Sequence, residues 1–200
     1  MKIYFFNSFE NFDYTDFMDE LPDERRKKCE SYKNLEDKQL CAAAYLLLRA
    51  ALRQEFGTKT VPEIETGASG KPYFKGKTDL FFNLSHCPKG VVCAVSEEEI
   101  GVDIQDAREV SEKVASRVLN AEELAFLNNS ADKNRAFAYL WSRKECAAKR
   151  SGAGIACDLK KIDTLNTEIQ THDGGDYFIS VSPAEKIEII NIPNLKGFDN

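Results

Sequence analysis

Apolar positions along the chain follow two rhythms, one near 3.6 residues and one of 2 residues. Residues 2–7 (KIYFFN) form a short aromatic-rich run that predicts a strand. From Pro22 the pattern turns helical, first to about Tyr32 and then over residues 36–56. In the second helix Leu40, Ala44, Leu47 and Ala51 recur at the i, i+4, i+7, i+11 spacing of a buried stripe, and Gly57 is a natural stop. Residues 61–96 break this rhythm. Ile64 and the apolar runs at 73–74, 80–84 and 91–95 are separated by Gly, Pro, Lys and Asp, which predicts three or four strands joined by tight turns. The second half predicts a strand at 100–104, helices over about 109–117, 121–128 and 132–150, and strands near 176–182 and 186–192. The order is not a regular alternation of strand and helix. It predicts an α+β protein of two halves, 1–100 and 101–200, packed side by side with a cleft between them.

Composition narrows the class. With 42% hydrophobic and 30% charged residues the chain can bury a globular core. No stretch approaches the ~20 apolar residues of a membrane helix. The first apolar run gives way at once to Asn7, Ser8 and Glu10, unlike a signal peptide, so the expected location is the cytoplasm. Cys29, Cys41, Cys87, Cys93, Cys146 and Cys157 form no C-x-x-C pair, so they read as reduced thiols and not as zinc ligands. A net charge of −6 argues against nucleic-acid binding through a broad basic surface. Local basic clusters remain, at Arg25, Arg26, Lys27 and Lys28, and at Lys144, Lys149 and Arg150. There is no Walker loop, G-x-G-x-x-G, H-E-x-x-H or EF-hand loop, which removes most nucleotide-dependent and zinc chemistries.

Three segments carry candidate chemistry. In the predicted strand Gly101-Val102-Asp103-Ile104-Gln105, Val102 and Ile104 share one face, and Gly101, Asp103 and Gln105 share the other. Asp103 and Gln105 together present oxygens suited to a hard cation, or else they are the polar outside of a half-exposed strand. In the helix from Trp141 to Lys149, Trp141, Glu145 and Lys149 lie along one stripe. Glu145 and Lys149 are either a surface ion pair or a metal-binding carboxylate beside a phosphate-binding lysine. Third, His86 follows Ser85 at the end of a strand. Neighbouring residues on a strand point opposite ways, which disfavours a Ser/His nucleophile pair, whereas a histidine there suits donation to a phosphate.

Taken together, Gly70-Lys71-Pro72, Asn83-Leu84-Ser85-His86, Gly101-Val102-Asp103-Ile104 and the helix Trp141 to Lys149 resemble the 4′-phosphopantetheinyl transferases, in the larger surfactin-synthetase-activating form. The resemblance spans about residues 22–160, with four motifs in the family's order. It implies two similar α+β halves related by a pseudo-twofold axis, with the active site in the cleft. The implied reaction transfers the 4′-phosphopantetheine of coenzyme A to a serine of an apo carrier protein and releases 3′,5′-ADP. It implies a Mg²⁺ site on Asp103 and Glu145, with Gln105 as a further ligand. It also implies coenzyme A contacts from Lys28, Lys71, Ser85, His86, Lys144 and Lys149, and Glu123 as a proposed general base beside Glu145.

Two departures stand out. Gln105 occupies the place of a second acid, so weaker metal binding is expected, and Leu40 stands where an arginine phosphate contact is expected, with Lys38 as its nearest substitute. The resemblance further implies a monomer that acts on carriers acidic around the modified serine. The basic cluster at 25–28, or Arg143 and its neighbours to Arg150, would meet such a surface. A Mg²⁺-dependent phosphodiesterase or nucleotide hydrolase on the same carboxylates, and a binding module for coenzyme A or a carrier, are the alternatives.

Overall fold

The computed structural model describes residues 1–152, 158–183 and 186–196. The first sheet is set by alternation in β1 (Lys2–Phe6). Tyr4 and Phe6 turn to one face, Ile3 and Phe5 to the other. β1 pairs antiparallel with β5 (Gly90–Ser96), which pairs antiparallel with the edge strand β4 (Phe81–Cys87). β5 is apolar on both faces, Val91, Cys93 and Val95 on one and Val92 and Ala94 on the other, because both faces are covered.

One cover is the long helix α2 (Leu35–Phe56), whose predicted stripe of Leu40, Ala44, Leu47 and Ala51 is buried. Burial extends all round the helix from Leu40 to Leu52. The reason is an outer layer: α1 (Asp23–Ser31) and a 3-10 helix over Tyr14–Glu20, which brings in Phe17, pack on the side away from the sheet. Gly57 ends α2 in the left-handed conformation, φ 63°, with its N–H on the Arg53 carbonyl. β2 (Ile64–Thr66) and β3 (Pro72–Phe74) make a separate two-stranded ribbon, and Phe74 lies against Phe82.

The second sheet has the order β6 (Gly101–Asp106), β8 (Tyr177–Ser182), β7 (Gln170–Asp173), all antiparallel. Val102, Ile104, Ile179 and Val181 share a core with Ile3, Phe5, Val92 and Ala94, so the two sheets bury a common apolar layer. The opposite face of the second sheet is covered by α5 (Lys133–Ser151), against which α3 (Glu112–Val118) and α4 (Ala121–Asn129) form a smaller core. The arrangement is α+β, as the sequence predicts. Each sheet carries one long helix, and the edge strands β4 and β6 lie against each other.

The sequence division at 100/101 does not separate the sheets. The last strand, β9 (Glu188–Asn191), returns to run parallel to β1 in the first sheet. The five described cysteines are free and buried, and Cys157 lies outside the described residues. Among the described residues no helix is long and apolar enough to cross a membrane.

Candidate functional site

The candidate site forms where β6 passes under α5, and Gly101 sets how closely they meet. A Cβ at Gly101 would lie 2.1 Å from the Cys146 carbonyl oxygen and 2.8 Å from the Arg150 nitrogen. The helix backbone therefore occupies the space of a side chain, and the Cys146 thiol donates to the Gly101 carbonyl at 3.2 Å. Two residues along the same face of β6, Asp103 meets the Lys149 side chain of the same helix. β4 closes the other side. The Asn83 side-chain oxygen accepts from the Val102 N–H at 2.9 Å, and the Ser85 hydroxyl donates to Asp103 at 2.7 Å.

Asp103 is only 1% exposed, and its carboxylate takes three donors. The Lys149 ammonium lies 2.5 Å from Oδ1 and also donates to Ser85 at 2.8 Å, while the Gln105 amide donates to Oδ2 at 3.0 Å. Asp103, Gln105, Lys149 and Ser85 are thus brought together. The functional alternative left open for Asp103 and Gln105 gains a concrete geometry, since their shared face looks onto α5, with Asp103 buried and Gln105 half-buried.

Glu145 sits one turn before Lys149, half-buried, and accepts no hydrogen bond among the described residues. Desolvation pushes its pKa up, the nearby Asp103 charge adds to this, and Lys149 opposes it. An unpaired carboxylate beside a second carboxylate is an electrostatic arrangement that a cation relieves. No three His, Cys, Asp or Glu side chains converge among the described residues. The available set is two carboxylates plus the oxygen of an amide, hard donors that fit Mg²⁺ with remaining positions left to water or substrate.

The raised pKa makes a stability prediction with a definite sign. The unfolded chain gives up the Glu145 proton first, so stability is lost as pH rises through the folded-state pKa. Glu145→Gln in chelator is expected to melt above the wild type at neutral pH, with the gap closing below about pH 4. Thermal melts across that range check it. A variant that melts lower at neutral pH would mean that attraction to Lys149 outweighs burial.

The remaining predicted contacts divide into two groups. Strand alternation puts His86 on the opposite side of β4 from Ser85, which excludes the Ser/His pair, and the charges around it include Lys149, Asp37 of α2 and Lys28 of α1. The imidazole is exposed but closely surrounded. Desolvation, with the charges of Lys149 and Lys28, holds its pKa below the ordinary value. Lys28 is exposed in the last turn of α1. Lys71, at the foot of the ribbon before β3, is already engaged. It pairs with Glu99 and donates to the Arg150 carbonyl at 2.9 Å. Leu40 is a core residue, and the Lys38 ammonium lies over the Tyr14 ring at 5.9 Å.

Glu123 and Lys144 are brought to each other and not to Asp103. Both are fully buried, 2.7 Å apart. Glu123 also accepts from the Thr164 N–H and hydroxyl and, as the third residue of a capping box, from the Asn120 N–H. Lys144 donates to the carbonyls of Leu159 and Ile162. Arg143, expected on the carrier-facing surface, is buried as well. Its guanidinium donates to the carbonyls of Thr164, Thr167 and Ile169 and to the Thr171 hydroxyl. These three charges fix the segment after α5 onto the helix. Asn83, quoted in a motif without a role, is the residue that sequence reasoning passed over. The signal is an amide at an inward strand position.

Comparison with known proteins gives one family. The model of the 4′-phosphopantetheinyl transferase superfamily matches residues 99–191, which include Asp103, Gln105, Glu145 and Lys149. A 4′-phosphopantetheinyl transferase of Bacillus subtilis is 31% identical over 160 residues, covering 76% of this chain and 71% of the relative. The 4′-phosphopantetheinyl transferase Sfp of Bacillus subtilis (strain 168) is 27% identical over 168 residues, covering 82% and 73%. The L-aminoadipate-semialdehyde dehydrogenase-phosphopantetheinyl transferase of Candida glabrata is 29% identical over 137 residues, covering 64% and 53%. The chain belongs to the 4′-phosphopantetheinyl transferase superfamily.

Proposed function

We propose that this chain, acting in the cytoplasm as a monomer, transfers the 4′-phosphopantetheine of coenzyme A to a serine of an apo carrier protein and releases 3′,5′-ADP. The observation that carries the reading is the convergence of Asp103, Glu145 and Lys149 across the close β6–α5 contact, with Ser85 joined to it from β4. Asp103, Glu145 and the Gln105 oxygen would hold Mg²⁺. The ion would neutralise charge on the pyrophosphate oxygens as the leaving group departs.

The other roles belong to the chain's own side chains. Lys149 has donors left to turn from Asp103 to a phosphate oxygen. Ser85 is fixed as a partner for the same group, and His86 and Lys28 line the side of β4 toward the rest of the coenzyme. Lys71 would exchange Glu99 for a phosphate. Of the two candidate bases, Glu145 stands at the Asp103 site, whereas Glu123 is closed off by Lys144 and Thr164. No covalent bond to the protein is required, so the rate gain is positioning and electrostatics. With Arg143 buried, the exposed members of the two predicted basic clusters are Lys27 and Lys28 of α1 and Arg150, and these would meet an acidic carrier.

Mixing the protein with coenzyme A, Mg²⁺ and an apo carrier is expected to add about 340 Da to the carrier. Release of 3′,5′-ADP without a carrier would instead make it a phosphodiesterase. Coenzyme A binding with neither product would make it a binding module. Gln105→Glu supplies the missing acid. It is expected to lower the Mg²⁺ concentration for half-maximal transfer by about tenfold, and to destabilise the metal-free chain by placing a third carboxylate against Asp103. An unchanged Mg²⁺ dependence would remove Gln105 from the ligand set.

A further inference from the structure

The turn between β2 and β3 lies against the C-terminal end of α5. A Cβ at Gly152 would lie 3.5 Å from Lys71 Cδ and 3.9 Å from Ser69 Oγ. From this turn the Lys71 ammonium reaches two acceptors that differ in kind. The Arg150 carbonyl, at 2.9 Å, is one of the last four of α5, which have no partner within the helix, and the negative end of the helix favours a cation there. It is backbone and stays in place. The Glu99 carboxylate is a side chain with 56% of its surface exposed, against 17% for Lys71, so it can turn to water at little cost. The Glu99 backbone is held separately, because Arg150 Nε donates to its carbonyl at 3.3 Å while the same guanidinium donates to the Ser182 hydroxyl. Lys71 thus stands at the residue after Lys149, whose ammonium is on Asp103.

We propose that Glu99 is a built-in competitor of the coenzyme: in the free chain its carboxylate fills the place on Lys71 that a phosphate group takes on binding, and so it sets the affinity for coenzyme A. This rests on the proposed function, in which Lys71 meets a phosphate. A lysine ammonium has three N–H donors. The one on the Arg150 carbonyl keeps the ammonium beside the site when Glu99 leaves. Carboxylate and phosphate present the same kind of anionic oxygen, and a phosphate set beside Glu99 would meet like charge at ion-pair range. Binding therefore breaks the pair, and the coenzyme's affinity is lower by what that costs. Of the three glutamates at 97–99, Glu99 is the one whose carboxylate meets Lys71, so the effect belongs to one residue and not to the acidic run.

Glu99→Gln keeps the shape and removes the charge. By calorimetry at low salt it is expected to bind coenzyme A about fivefold tighter than wild type. Glu98→Gln removes the same charge one residue away and is expected to change the Kd by less than about twofold. In a Lys71→Met background the gain from Glu99→Gln is expected to vanish. Dephospho-coenzyme A separates the two sources of phosphate. A gain lost with it places Lys71 on the 3′-phosphate, and a gain kept places it on the pyrophosphate; either supports the competition. An unchanged Kd in Glu99→Gln, an equal effect of Glu98→Gln, or an equal gain with and without Lys71 would overturn it. Carrier mass read on the same proteins keeps the two readings apart. Transfer with an unchanged Kd sinks the role of Glu99 alone, and tighter binding without transfer supports that role and sinks the transferase. No coenzyme A binding in either protein would overturn both.

Discussion

Asp103→Asn is expected to reduce carrier modification by about 10³-fold, equivalent to roughly 4 kcal/mol of transition-state stabilisation. The carboxylate is the point on which the candidate site converges. Lys149, Ser85 and Gln105 all direct donors at it, and its charge helps to hold Glu145 in need of a cation. Asparagine keeps the shape and one acceptor oxygen but brings no charge, and its N–H donors must face either Lys149 and Ser85 or the Gln105 amide, all of which donate to the aspartate. The cation site falls from two carboxylates to one. Lys149 keeps 27% of its side chain exposed and can turn to water, so folding is expected to weaken by only about 1–2 kcal/mol, within what a melt resolves. The separation of the two readouts is what makes the result informative. Single-turnover transfer, followed by carrier mass at saturating coenzyme A, measures the first, and thermal unfolding measures the second. Transfer within about tenfold of wild type would remove Asp103 from the chemistry and leave it as a strut between β4, β6 and α5.

The parts legible in the sequence are those with a local cause. α2 and α5 have long regular stripes, and Gly57 is one of the few residues that adopts a left-handed cap readily. The face shared by Gly101, Asp103 and Gln105 follows from strand alternation, and the structure keeps it. The 3-10 helix over Tyr14–Glu20 escaped because its aromatic contacts have neither period, and β7 escaped because Gln-Thr-His-Asp offers no apolar alternation. That β9 belongs beside β1 is a contact across nearly the whole chain, which no window of sequence contains.

The site residues fail in an instructive way. Lys144 is expected at coenzyme A and Arg143 at the carrier, and both roles need the exposure that such residues usually have. Lys144 nevertheless stands four residues after Leu140 on the apolar stripe, off the line of Trp141, Glu145 and Lys149, and the helix turns it inward. Glu123 carried its own signal as well. Asn120-Ala-Glu-Glu123 is a capping box, a local reason for a glutamate that involves no chemistry.

Among the described glycines, Gly101→Ala is expected to be the most damaging added methyl. The added carbon would meet backbone on α5, the Cys146 carbonyl at 2.1 Å and the Arg150 nitrogen at 2.8 Å, and backbone in mid-helix cannot rotate away as a side-chain tip would. Either β6 or α5 must shift by about 1 Å or more, against the core shared by the two sheets on one side and the α3–α4 cluster on the other. A loss of about 3–5 kcal/mol is expected, which lowers Tm by roughly 10 °C for a chain of this size. Gly175→Ala is the matched control. It has a φ of 89° but nothing within 4 Å of its Cβ, so its cost is limited to backbone strain of about 1 kcal/mol. Transfer measured well below the variant's melting range should still fall by about 10²-fold, because Asp103 rides on the strand and Glu145 and Lys149 ride on the helix that the methyl pushes apart. A variant with wild-type Tm would mean that the strand and helix can separate freely. A destabilised variant with full transfer when cold would mean that the spacing of Asp103 and α5 does not govern the chemistry.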